Sequence, residues 1–196
     1  MKKGLVVLLV VLGVLGALAM SLSGAYNGLV RADESVNQAW SQVENVYQRR
    51  LDLIPNLVET VKGYAAHENE TFVDVTRARA QAAGTVSAGV ISDPAKFQQF
   101  QESQAALSSA LSRLMVVVEK YPDLKANENF LQLQAQLEGT ENRISVERER
   151  FTRAAQTFNT QLRQFPTNVL GGMFGFRVKE YFKADALAKV APKVQF

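Results

Sequence analysis

The sequence predicts an all-α protein: an N-terminal transmembrane helix followed by an up-and-down antiparallel four-helix bundle of long helices. Three observations predict it. An uncharged apolar run opens the chain. Apolar residues then recur three, four or seven apart along extended stretches, the period of a helix face. Only 5 prolines and 12 glycines interrupt 196 residues, and no period-two alternation competes for a β reading.

The first element follows Met1-Lys2-Lys3. From Gly4 to Ala25 no charge occurs, and these 22 residues make about 33 Å of helix, enough to cross a bilayer core. Residues 1–25 are therefore read as a membrane anchor. The alternative is a cleaved signal peptide, because Ala17-Leu18-Ala19 has the small-x-small form of a cleavage site. Cleavage after Ala19 would release a soluble periplasmic bundle. Lys2 and Lys3 precede the span, whereas Arg31 after it is offset by Asp33 and Glu34. The positive-inside rule then gives a single-pass protein of the bacterial inner membrane, N-terminus cytoplasmic and body extracytoplasmic. Gly13, Ala17, Ser21 and Ala25 recur every four residues, and Gly24 and Gly28 form a GxxxG at the exit. Such a row lets helices approach closely in lipid and points to a homo-oligomer; small residues are also common in any membrane helix.

Residues 26–165 make the bundle. A first helix, Tyr26 to about Tyr64, carries Leu29, Val36, Trp40, Val43, Tyr47, Ile54, Val58 and Val61 in one stripe. Asn69 is positioned to cap a shorter second helix ending near Ala83. GTVSAGVISDP then reads as a loop, with Asp93 an N-cap and Pro94 the first residue of a third helix. That helix carries Phe97, Phe100, Leu107, Leu111, Leu114, Val118 and Tyr121, with Gln104 breaking the run and Pro122 ending it. A fourth, about Asn127 to Gln164, carries Phe130, Leu133, Leu137, Ile144, Phe151, Ala155, Phe158 and Leu162. Four amphipathic rods with short joins pack antiparallel at shallow angles.

Two stripe positions are polar. Arg50 stands between Tyr47 and Ile54, and Glu147 between Ile144 and Phe151. A polar pair in a seam fixes register, so Arg50 is expected to meet a carboxylate of the fourth helix, Glu147 first; the alternative is that both side chains reach water. Pro55 should leave the Leu51 carbonyl without its helical partner and bend the helix. Arg49 and Asp52 are spaced to pair on its surface.

Catalysis and cofactors are not expected. The chain lacks cysteine, which removes thiolate chemistry, and its one histidine, His67, falls in a helix–helix turn. HENET has Thr71 where a zinc-protease motif needs histidine, so no metal site is predicted. Glu138, Glu141, Glu147 and Glu149 alternate with Arg143, Arg148, Arg150 and Arg153, which reads as a solvated, mutually paired face. Lys+Arg 22 against Asp+Glu 19 leaves +3, too small an excess for a nucleic-acid binder. The enzyme reading would need a polar inter-helix site around Arg50, Asn56, Asn142 and Glu147. A ligand-binding bundle would use the same site.

Residues 166–196 form a Gly/aromatic/basic tail. The first and fourth helices are equally long, so the fourth should end level with the membrane exit. Phe165, Phe174, Phe176 and Tyr181 would then sit at the bilayer interface, with Arg163, Arg177, Lys179 and Lys183 on lipid headgroups. The alternative is that these aromatics fold back and close the bundle.

YNGLVRADESVNQAWSQVENVYQRRLDLIPNLVETVKGYAAHE, LEGTENRISVERERFTRAAQTFNTQLRQFP and FPTNVLGGMFGFRVKEYF resemble the signature of bacterial LemA proteins. The resemblance covers nearly the whole chain after the span; Phe158-Asn159 departs only in having phenylalanine where relatives often carry tyrosine. It implies a single N-terminal span, a helical bundle and no established enzymatic activity. It also implies links to membrane-bound peptidases and, in one branch, to magnetosome membranes. Members have been described with the body in the cytoplasm, contrary to the charge argument. The expected function is a non-enzymatic, membrane-anchored scaffold or interaction protein, self-associating and membrane-organising, with lipid as a partner.

Overall fold

The computed structural model describes residues 2–87 and 89–182 and is all-α among them. One helix, α1, runs unbroken from Lys2 to Lys62, so the apolar span and the first bundle helix are a single rod about 90 Å long. The span and the bundle helix, read separately from the sequence, have no break between them because no proline falls from Ala19 to Tyr26 and the single Gly24 costs too little to stop a helix. From Leu5 to Leu22 the large apolar side chains are exposed and touch no other element, whereas Leu29 onward alternates buried and exposed.

The chain turns at the distal end into α2 (Asn69–Thr85), which runs back toward the membrane for only 17 residues. Asn69 is its first helical residue rather than its cap; Glu68 holds that position without a side-chain hydrogen bond. A loop with a 3-10 turn (Val90–Ser92) leads to α3 (Pro94–Val118). Here Asp93 caps as its sequence position requires, accepting from the amides of Ala95 and Lys96, with Pro94 at the first position. The short α4 (Pro122–Lys125) closes the distal turn. α5 (Glu128–Arg163) is capped by the Asn127 side chain and returns the full length of the bundle. The segment that the sequence predicts to be a tail opens with about two turns of helix, α6 (Thr167–Phe174), which buries Leu170 and Gly171 and lies beside the base of α1.

Pro55 sits inside α1, and the Leu51 carbonyl it orphans is not left bare. The Arg79 Nε–H of α2 donates to it at 2.8 Å. The proline thus creates an acceptor that ties α2 to α1. Asp52 accepts from Gln48 at 2.7 Å instead of pairing with Arg49.

α1 packs along α5, and α2 against α3. Trp40 meets Phe151 with ring centroids 5.2 Å apart, which sets the antiparallel register. Facing positions then have numbers summing to 191, as in Leu29/Leu162, Val36/Ala155, Tyr47/Ile144, Ile54/Leu137 and Val61/Phe130, all buried. The core divides into a distal, largely aliphatic cluster from Leu51 to Ala65 with Leu107, Leu114 and Phe130, and a proximal aromatic one around Trp40, Phe97, Phe100, Phe151 and Phe158.

Candidate functional site: a polar layer and a clamped tail

Between the two clusters each long helix contributes one buried polar residue: Arg50 from α1, Gln104 from α3 and Thr140 from α5. Each takes a stripe position between apolar neighbours, so the helical period that builds the core also brings the three to one level. Thr140 is satisfied locally, donating to the Gln136 carbonyl at 2.7 Å. Arg50 donates through Nη2 to Ser108 Oγ at 2.6 Å, and its Nε lies 3.0 Å from Glu141 Oε1. This second contact is a charge pair without an aligned hydrogen bond. The Glu141 side chain is 49% exposed, so water shares the pair. Burial pulls the Arg50 pKa below the usual guanidinium value, and Glu141, then Tyr47, push it back up. Burial raises the Tyr47 phenol, with Arg148 and Arg50 opposing. Tyr47 is therefore a neutral hydroxyl over the physiological range.

The expected partner Glu147 pairs instead with Arg150, one turn along its own helix, at 2.7 Å. The register explains the correction. Ten residues beyond Trp40 on α1 lies Arg50, and ten residues before Phe151 on α5 lies Glu141. Glu147 is six residues from that level, roughly 9 Å along the axis. Arg50 does meet a carboxylate of this helix, but the facing one.

Gln104 is 5% exposed, and neither its amide nitrogen nor its carbonyl oxygen has a hydrogen-bond partner. It borders a cavity of about 290 Å³ where α1, α3 and α5 meet the C-terminal segment, with Tyr47, Arg50, Ser108, Glu141 and Arg148 around it. A second cavity of about 280 Å³ lies on the distal side of Arg50, walled mainly by Leu111, Met115, Leu137 and Glu138. Asn56 and Asn142, assigned to the same site by sequence, are exposed and line neither cavity.

The C-terminal segment is the second feature. Gly175, at φ 75°, ends α6 in the left-handed conformation that glycine adopts without penalty, and the Phe176 amide donates back to the Gly171 carbonyl. The chain then runs extended alongside the bundle. The Asn159 side chain donates to the Lys179 carbonyl and accepts from the Lys179 amide, both at 2.9 Å, so one buried amide pins the strand as a β neighbour would. Lys179 Nζ lies 2.8 Å from Asp33 Oδ1 and 5.4 Å from the Phe158 ring. Phe182 enters the aromatic cluster of Trp40, Phe97, Phe100 and Phe151, with Arg148 stacked over its face at 4.4 Å.

The sequence reading of the tail is thereby divided. Lys179 is buried and ion-paired, so it is withdrawn from any headgroup. Phe176 turns inward against Phe158 and Tyr26. Phe165, Val169, Met173, Phe174, Arg177 and Tyr181 remain exposed. Phe174 lies 4.7 Å from Tyr26, immediately after the apolar span, so α6 does stand level with its end. Lys183 lies outside the described residues. In the span itself Gly13, Ala17, Ser21 and Gly24 are exposed, while Ala25 and Gly28 are partly covered by the bundle base. His67 is exposed in the distal turn.

Comparison with known proteins bears on what such a bundle is. The sequence model of the LemA family matches residues 39–196. The magnetosome protein MamQ 2 of Paramagnetospirillum magneticum is 28% identical over 92% of this chain and 74% of its own length. MamQ of Magnetospirillum gryphiswaldense is 27% identical over 93% and 74%. Protein LemA of Metamycoplasma hominis is 25% identical over 85% and 73%.

Proposed function

The chain belongs to the LemA family, and on that premise we propose that it is a membrane-anchored helical scaffold that acts by holding partners beside the bilayer. That it is a membrane-associated helical protein follows already from the family and from the apolar N-terminal helix. One observation carries the finer reading. α1 passes from span to bundle without a break, so the body stands on a stiff rod at a fixed height rather than swinging on a tether. The free surface of the span, with Gly13, Ala17 and Ser21 on one row, suits close approach of a second copy. The exposed Phe165, Val169, Met173 and Phe174 beside Tyr26 suit an interfacial position for α6.

Catalysis finds little support. The Ser108 hydroxyl accepts from Arg50 and donates to the Gln104 backbone carbonyl, contacts that do not activate it as a nucleophile, and the one histidine of the chain lies at the opposite end of the bundle from the span. The charge flanks favour an extracytoplasmic body. A membrane-bound peptidase and a membrane-shaping assembly are the partner classes that the family resemblance implies. The relatives named as magnetosome proteins agree with work at a membrane.

Sizing of the full chain in mild detergent tests the scaffold. An oligomer that falls to monomer in Gly13→Ile/Ala17→Ile is expected, and a monomer that co-purifies with nothing overturns the reading. A fluorophore at residue 173 should be quenched by lipid-borne quenchers in vesicles; absence of quenching removes α6 from the interface. Because the chain has no cysteine, a single one at Ser41 reports orientation by its reaction with an impermeant thiol reagent.

A further inference from the structure

We propose that the cavity at the polar layer is a binding site for a small monocarboxylate that carries an amide or hydroxyl beside its acid group. The argument starts from Gln104. An amide that is 5% exposed and unpartnered at both of its polar atoms is costly unless something in the cavity completes it. The group required must accept from its nitrogen and donate to its oxygen. An amide or a hydroxyl does both.

The charges select the other half of the ligand. Arg50 and Glu141 offset each other, which leaves Arg148 as the excess cation of the lining. Among the described residues no carboxylate pairs with Arg148, whose guanidinium is held in place over the Phe182 ring. A guanidinium fixed in this way matches a planar carboxylate through two parallel hydrogen bonds. Phosphate fits worse. Its charge approaches two at neutral pH, against one uncompensated cation, and the Glu141 carboxylate and Gln104 carbonyl would both face it. The rings of Tyr47 and Phe182 and the Ile144 side chain give an apolar wall for a short side chain. At about 290 Å³ the cavity lies at the small end of ligand sites. Acylated amino acids and 2-hydroxy acids meet all four demands. Ordered water could complete Gln104 as well, but it would supply nothing for Arg148 that bulk solvent does not.

The test is calorimetric titration of the full chain in nanodiscs with N-acetylalanine, N-acetylleucine and lactate, against N-acetylalanine amide and inorganic phosphate. Saturable binding of at least one carboxylate is expected, with the uncharged amide at least tenfold weaker. Gln104→Leu should weaken binding about tenfold while its thermal midpoint holds or rises, because an uncompensated amide is replaced by an apolar group of similar size. Arg148→Gln should weaken binding similarly with the helical circular dichroism unchanged. The proposal is overturned if no carboxylate binds, if the amide or phosphate binds as well, or if Gln104→Leu binds like the parent chain. It is overturned also if binding appears only in a chain ending at Phe182. The occupant would then be the protein's own residues 183–196, Asp185 among them.

Discussion

Distal to Arg50, four helices surround a largely aliphatic core. Between Arg50 and the membrane three long helices remain among the described residues, and the core turns aromatic. The difference begins with α2, which stops at Thr85, so its buried residues Phe72, Val75, Ala78 and Ala82 all belong to the distal half. The proximal half has a missing wall. Two devices fill it: large rings that span the wider gap, and the extended segment that ends in Phe182. The segment fits because of a coincidence of pitch. Three extended residues and seven helical residues both advance about 10 Å, so Phe176, Lys179 and Phe182 come level with Tyr26, Asp33 and Trp40. A strand can therefore replace a helix where its contacts repeat every third residue. The polar layer lies where one solution gives way to the other.

The largest effects should come from each core's own centre. Phe151→Ala removes a fully buried ring touching Trp40, Phe97 and Phe182, and should cost about 3–5 kcal/mol; Leu114→Ala in the distal cluster should cost about 2–4 kcal/mol. Denaturant unfolding measures both. The single tryptophan, Trp40, lies in the proximal half and distinguishes them. Native-state emission should change in Phe151→Ala and stay unchanged in Leu114→Ala. An equal response would mean that the polar layer does not separate the halves.

Asn159→Ala attacks the strand that replaces the missing helix. It strips the Lys179 amide and carbonyl of their shared partner, at a cost of about 1–3 kcal/mol. Phe182 should then leave Trp40, and its emission should shift to the red. If emission is unaltered, the aromatic contacts alone hold the segment.

At the layer itself, Glu141→Ala leaves Arg50 buried with only Ser108. The half-exposed partner limits the cost to about 1–2 kcal/mol. Arg50→Met combined with Glu141→Leu should restore or exceed parental stability, since desolvation opposes the pair. A strongly destabilised double variant would mean that the ion pair is a net contributor. The phenol of Tyr47 adds a pH dependence with a definite sign. Its folded pKa is raised, so the unfolded chain ionises first. The contribution is intact below the usual tyrosine value of about 10 and is lost as pH climbs through the folded one. Arg50, with a lowered pKa, has the opposite sign in the window just below the usual guanidinium value. Tyr47→Phe should flatten the alkaline loss measured by thermal denaturation.

The helices, the Asp93 cap and the Pro55 acceptor were legible because each depends on residues within one or two turns. The register was legible too, in stripe positions whose numbers sum to 191, yet a stripe read one helix at a time does not reveal it. Gln104 was visible as a break in the run of α3 but was not matched with Arg50, because matching needs the packing of α3 on α1. The clamp of Asn159 on Lys179 was not legible, although Asn159 stands four residues after Ala155 and three before Leu162 on the buried face. Phe158 already fills the apolar stripe beside it, and the strand that Asn159 holds is twenty residues away, beyond the reach of a helical period.

Glu147 gives the smallest effect and tests the register most directly. Both carboxylates lie on α5, and only Glu141 faces Arg50. The partner of Glu147, Arg150, is exposed on the same helix, and pairs three residues apart are worth a few tenths of a kcal/mol. Glu147→Ala should therefore move stability by about 0.5 kcal/mol or less, and a double-mutant cycle with Arg50 should give no coupling. The same cycle between Arg50 and Glu141 should give a coupling above the additivity error of about 0.3–0.5 kcal/mol. If the two results were exchanged, α5 would have to slide by six residues against α1. Trp40 would then lose Phe151, and the aromatic core described for the proximal half could not exist.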